Sequence, residues 1–150
     1  MFKQRLSVTA AAAAAFMLLS IAACSRDSGL TLTAPDAYAQ AQAGKLTLID
    51  IRRPDEWRQT GVAKGARQIN MAHPQGDAGF VGQVAAELSG DKHAPIGLIC
   101  RTGNRTTQMQ RALTDAGFTQ VYNIREGMAG SSAGPGWIAR GLPVEACERC

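Results

Sequence analysis

Three short strand-like stretches, the apolar Leu46–Ile51 and Pro95–Ile99 and the more mixed Gln120–Ile124, constrain this chain more than any other feature. Leu46–Ile51 is broken only by Thr47 and Asp50, so it reads as a buried strand that stops at an acid. Between these stretches the period changes. Val81, Val84, Ala85 and Leu88 share one helical face that ends at Ser89-Gly90, and Met109, Ala112, Leu113 and Ala116 repeat the spacing up to Gly117. Thr33-Ala34-Pro35-Asp36 is a capping-box start for a helix over Pro35–Ala43, with Gly44 as its stop, and Gln68–Met71 is a brief further strand. Strands alternating with helices predict an α/β domain with a mainly parallel sheet and helices on both faces. In such sheets chemistry lies beyond the carboxyl ends of the strands. Two places qualify: Asp50-Ile51-Arg52 and Cys100–Arg105.

A length of 150 residues gives room for one domain, and 45% hydrophobic with 19% charged residues is a globular balance. The net charge is +4, but two of the basic residues, Lys3 and Arg5, sit at the extreme N-terminus. The remainder is too weakly basic for nucleic-acid binding, and no basic–aromatic stripe occurs. Four cysteines are too few for a disulfide framework in a domain of this size.

Residues 1–23 have the build of a secretory signal: a short basic start, then Leu6–Ala23 with only Ser7, Thr9 and Ser20 polar. The stretch Ile21-Ala22-Ala23-Cys24 resembles the lipobox of bacterial lipoproteins. That resemblance implies cleavage before Cys24, lipidation of Cys24, and attachment to a membrane by several acyl chains. Ordinary signal cleavage and an uncleaved anchor are the alternatives. Ser25 stands where an aspartate resembles an inner-membrane retention signal in enteric bacteria, which favours the outer membrane. Residues 24–29 then form a polar tether, of which the five residues after Cys24 reach roughly 17 Å. Residues 30–145 form the domain and 146–150 a C-terminal Cys-x-x-Cys tail.

The segment Cys100-Arg101-Thr102-Gly103-Asn104-Arg105 follows a strand and opens a helix. Backbone N–H groups from Arg101 to Arg105 are expected to curl toward the sulfur and, with the helix N-terminus, to form an anion cradle. Arg101 and Arg105 add positive charge, and all of these favour thiolate over thiol. The plain alternative is a buried cysteine ending a core strand.

Cys100-x-x-Gly103-x-Arg105 resembles the active-site loop of single-domain rhodaneses, which are sulfurtransferases. Asp50-Ile51-Arg52-Arg53-Pro54-Asp55-Glu56-Trp57 resembles that family's Asp-x-Arg-x-Pro-x-Glu-aromatic motif. Gly61–Ala66 lies where the family shows Gly-His-Ile-x-Gly-Ala, with Val62 in place of a structural histidine. Glu126-Gly127-Met128, Trp137 and Gly141–Val144 resemble its closing segment. The likeness runs from about Leu30 to Glu145 and implies a three-layer domain with a sheet of about five strands. Gly127–Gly136 is longer and richer in glycine than the usual connection, and reads either as a surface loop or as a flap lining the pocket.

The resemblance further implies that the Cys100 thiolate takes the outer sulfur of a donor such as thiosulfate and yields it to cyanide or a thiol acceptor, which can be a protein. Arg101 is the candidate for binding the anionic donor. Arg105 is expected to pair with Asp50 or Glu56 and, with Arg52, to hold the loop's shape. Related phosphatases present Cys-x5-Arg, whereas here the count is Cys-x4-Arg, a tighter ring that suits a sulfur atom better than a phosphoryl group. No cofactor is implied. Cys147 and Cys150 offer too few ligands for a metal site, and His73 and His93 read as solvated. The Cys147/Cys150 pair is either a local disulfide or two free surface thiols without a role, or a redox-active pair that takes sulfur from Cys100 or resolves its persulfide. Two other readings stand beside the sulfurtransferase: a thiol–disulfide oxidoreductase using Cys147 and Cys150, and a binding module that keeps the fold without the chemistry.

Overall fold

A computed structural model describes residues 29–147 and residue 150. The expected signal sequence, Cys24 and nearly all of the expected tether lie outside the described residues.

The chain opens with helix α1 (Ala34–Gln42), where Thr33 accepts from the Asp36 amide at 3.2 Å. Strand β1 (Thr47–Asp50) follows, then helix α2 (Pro54–Thr60), strands β2 (Val62–Ala63) and β3 (Arg67–Gln68), and helix α3 (Gly76–Glu87). Strand β4 (Ile96–Ile99), helix α4 (Asn104–Asp115), β5 (Val121–Asn123) and β6 (Val144–Glu145) complete it. Four strands form a parallel sheet in the order β3-β1-β4-β5. Beyond β5 a single parallel bridge, Thr31 to Asn123, takes the place of the expected fifth strand. Strands β2 and β6 pair antiparallel as a separate ribbon, with Val62 opposite Glu145. Val62 is buried there, so the position that a histidine occupies in the motif is filled by an apolar residue suited to a short strand.

Alternation along the strands separates two cores. Ile49, Ile51, Ile96 and Leu98 face α3 and α4, where they meet Phe80, Val84, Met109 and Leu113. Leu46, Leu48, Ile99 and Ile124 face the other way, onto Ala34 and Ala37 of α1 and onto Met128 and Trp137. Helices therefore cover both faces of the sheet. Because all four strands run in one direction, Asp50, Gln68, Cys100 and Asn123 come to the same edge.

Candidate active site

Cys100 follows the last residue of β4 and lies in the wall of the larger core, 1% exposed. Its Sγ receives the Gly103 amide at 3.1 Å and lies 3.6 Å from Thr106 Oγ1. The sequence predicts that the whole run of amides from Arg101 to Arg105 converges on the sulfur; among the described hydrogen bonds only that of Gly103 reaches it. The amides of Asn104, Arg105 and Thr106 belong to the first turn of α4, which has no intrahelical acceptors for them. They leave a partial positive charge at the same mouth.

The loop turns at Gly103, in the left-handed region at φ 88°, where a Cβ would overlap the Arg125 carbonyl oxygen. The loop's outer side is fastened to the segment after β5. The Met128 amide donates to the Cys100 carbonyl at 2.8 Å and the Ala129 amide to the Arg101 carbonyl at 2.9 Å. Hence the start of Gly127–Gly136 is a brace for the cysteine loop, with Gly127 and Met128 buried. Glu126, also buried, closes the base of that segment. Its carboxylate accepts from the Ala34 amide (2.7 Å), the Gly136 amide (2.9 Å) and Arg140 Nε (2.7 Å). Burial pushes the Glu126 carboxyl up, but these hydrogen bonds outweigh it and hold it below the ordinary value.

Arg105 reaches back to α2. Its Nη1 and Nη2 donate to the two carboxylate oxygens of Glu56, each at 2.6 Å. Glu56 also accepts the Arg53 amide at 3.1 Å, so one carboxylate caps α2 and holds the loop. The hydrogen bonds from Arg105 set the Glu56 carboxyl below its ordinary value against the opposing effect of burial. The Arg105 guanidinium is raised, first by Glu56 and to a lesser degree by the neighbouring Cys100 sulfur. Of the two partners expected for Arg105, the structure therefore shows Glu56.

Asp50 instead pairs with Arg52, 0% and 2% exposed, with Nη2 to Oδ2 at 2.7 Å. Arg52 spends its remaining donors on Thr60 Oγ1 (2.8 Å) and the Gly61 carbonyl (2.8 Å), tying β1 to the end of α2. Arg101 projects from the loop as an exposed side chain, and Thr102 and Asn104 flank the turn.

Thr106 and Asn123 escaped sequence reasoning. The Thr106 hydroxyl lies 2.8 Å from the Gly103 carbonyl and 2.7 Å from Asn123 Oδ1, while Asn123 Nδ2 donates to Thr107 Oγ1 at 2.9 Å. Thr106 has one proton to give, and turning it to Sγ stabilises a thiolate at the expense of one of these bonds. A hydroxyl in the first turn of the helix after the cysteine was the available signal; Asn123 gave none. His93 is exposed, and its Nδ1 lies 3.1 Å from Thr119 Oγ1. His73 is half-buried and accepts the Gln75 amide, so it is less solvated than expected.

Cys147 and Cys150 are joined as a disulfide. Gln68 Nε2 donates to Cys147 Sγ at 3.0 Å, and Arg58 Nη1 to the Cys150 carbonyl at 2.5 Å. Cys100 is the free cysteine among the described residues.

A cysteine at the end of a central parallel strand, curled under a helix N-terminus whose Arg105 is locked to Glu56 of α2, defines a class. Residues 33–133 match the rhodanese-like domain family, and the chain belongs to it. An uncharacterized protein of Rickettsia conorii is 28% identical over 98 residues, 64% of this chain and 80% of that protein. The crystal structure of Rv0390 from M. tuberculosis is similar at a TM-score of 0.60 and 27% identity, over 79% of this chain and 98% of that one. The polysulfide-sulfur transferase of Wolinella succinogenes is similar at a TM-score of 0.56 and 25% identity, over 80% of each chain.

Proposed function

We propose that this protein is a sulfurtransferase that carries sulfane sulfur on Cys100. The observation that supports it best is the Gly103 amide on Cys100 Sγ, at the mouth of a helix whose first amides are free to receive an anion. The thiolate attacks the outer sulfur of a donor such as thiosulfate, the sulfur–sulfur bond of the donor breaks, and sulfite leaves. Cys100 then bears a persulfide, and cyanide or a thiol removes its outer sulfur, returning the thiolate. Arg101, exposed at the loop, binds the anionic head of the donor. Thr102 and Asn104 contribute to the cradle, while Arg105, Glu56, Asp50 and Arg52 hold its shape. The fold shared with a polysulfide-sulfur transferase agrees with this reading. Arg105, engaged by both oxygens of Glu56, is not free to clamp a phosphoryl group, which disfavours a phosphatase.

The sequence before the domain adds a place: a lipoprotein-type leader with Cys24 as the acylated residue, giving an extracytoplasmic, membrane-attached enzyme, in the outer membrane for want of an acidic residue after Cys24. The test of the chemistry is a thiosulfate:cyanide assay on wild type and Cys100→Ser, with intact mass and peptide mapping after donor treatment. One added sulfur on the Cys100 peptide is expected, and full activity in the serine variant overturns the proposal. Mass of the N-terminal peptide from membranes, in wild type and Cys24→Ala, tests the anchor.

A further inference from the structure

We propose that Cys150 and Cys147, as a dithiol, are a built-in acceptor for the sulfur on Cys100, releasing it as hydrosulfide and closing to the disulfide present in the structure. This rests on the persulfide reading of Cys100.

The tail is docked at the same edge of the sheet as the reactive loop. Gln68 ends β3, at the same sheet edge as Cys100, and registers with Asp50, which in turn registers with Ile99. Two strand spacings, about 10 Å, separate the backbones of Gln68 and Ile99. Gln68 Nε2 lies 3.0 Å from Cys147 Sγ and 3.8 Å from Cys150 Sγ. The second tether, Arg58, is on α2, the helix whose Glu56 holds the cysteine loop. The tail is thus held at the edge of the sheet that carries the site, by Gln68 on its two sulfurs and by Arg58 on the Cys150 carbonyl.

Tether length assigns the roles. Glu145 is the last residue paired in the ribbon. Once the disulfide is open, Cys147 is two residues beyond that anchor and spans roughly 7 Å, whereas Cys150 is five residues beyond it and spans roughly 17 Å. Of the two, Cys150 has the longer reach toward the loop, and Cys147 stays near Gln68. The burial of Cys100 does not oppose this, because the atom attacked is the outer sulfur, one bond of about 2.05 Å nearer the mouth.

The Cys150 thiolate attacks that outer sulfur, a sulfur–sulfur bond forms to Cys150, the bond to Cys100 breaks, and Cys100 leaves as thiolate. The Cys147 thiolate then attacks the Cys150 sulfur atom, hydrosulfide leaves, and the disulfide forms. The two electrons that reduce sulfane sulfur to sulfide come from the dithiol, and the protons of the two thiols balance the hydrogen sulfide formed. A dithiol reductant regenerates the pair by exchange, which makes this protein a station between a sulfane donor and a thiol-reducing system.

The experiment uses the full chain, either fully reduced and freed of reductant or oxidised at the tail, treated with one equivalent of thiosulfate and followed by sulfide release and intact mass. The reduced wild type is expected to release about one equivalent of sulfide and to lose two hydrogens. The oxidised wild type is expected to keep the sulfur on Cys100, a comparison that needs no substitution. Cys147→Ser is expected to hold the sulfur on Cys150, and Cys150→Ser to hold it on Cys100. Loading of Cys100 in the reduced wild type with no sulfide released, or release from Cys150→Ser at the wild-type rate, overturns the proposal alone. Absence of any added sulfur in every form overturns the persulfide reading beneath it.

Discussion

Gly103→Ala, measured against Gly44→Ala, isolates what the turn of the cysteine loop requires. Both glycines have positive φ, 88° and 68°, so both substitutions place an L-residue in left-handed backbone at a cost of about 1–2 kcal/mol. They differ in what the new methyl meets. At Gly44 nothing lies within 4 Å, and the conformational cost is the whole effect. At Gly103 the Cβ lies 2.9 Å from the Arg125 carbonyl carbon and overlaps its oxygen. Those are backbone atoms, which cannot rotate aside as a flexible side chain can, and overpacking of this kind adds about 1–3 kcal/mol. The expected losses are therefore about 1–2 kcal/mol at Gly44 and about 2–5 kcal/mol at Gly103, read from urea unfolding at constant m-value. Relief of the overlap moves the Gly103 amide off Cys100 Sγ, so sulfur loading from thiosulfate is expected to slow at least ~10-fold in this variant alone, the equivalent of about 1.4 kcal/mol. Equal stability in the two variants together with loading at the wild-type rate would show that neither crowding against Arg125 nor the placement of that amide matters.

Three further outcomes follow from the site. Glu56→Gln is expected to destabilise by about 1–2 kcal/mol at neutral pH and to slow turnover, because Arg105 loses its charged partner. The folded carboxyl of Glu56 titrates below its unfolded value, chiefly through Arg105, so its contribution is fully present above about pH 4.3 and fades as pH falls through the lower folded value. Urea curves for the two proteins should converge in acid, and a gap unchanged between pH 7 and pH 3 contradicts this account. Arg101→Ala is expected to raise KM for thiosulfate ~10-fold with a smaller change in kcat; a fall in kcat at constant KM removes Arg101 from donor binding. Asp50→Asn leaves the buried Arg52 guanidinium without its counter-charge and is expected to cost about 3–5 kcal/mol by thermal or urea unfolding. A loss below about 1 kcal/mol means that Thr60 and Gly61 suffice to hold it.

The parts legible in the sequence are those fixed by neighbours along the chain. The strand before Cys100, the turn at Gly103 and the helix after it followed from period and glycine placement, and the helix after Thr33 starts one residue from where its cap predicts. Helix α2 is not legible in the sequence, because Pro54–Thr60 is too short to show a period and contains one buried apolar residue, Trp57. The β2–β6 ribbon was equally hidden, since its two-residue strands pair across more than eighty positions. Thr106 and Asn123 were missed for a related reason: they meet at the foot of α4 only when β5 lies beside β4.

By itself the sequence determined that the chain alternates strands with helices, that a cysteine ends a buried strand, and that the following turn permits an amide to face its sulfur. Those are local matters of steric limits and hydrophobic period, and each is settled within a few residues. The tertiary structure decided the pairings: Arg105 to Glu56 rather than to Asp50, Glu126 across to Ala34, Gly136 and Arg140, and the Cys147–Cys150 disulfide onto Gln68. Opposite charges and hydrogen-bonding groups select partners by distance in space, and that distance exists only once the parallel sheet has brought the strand ends to one edge.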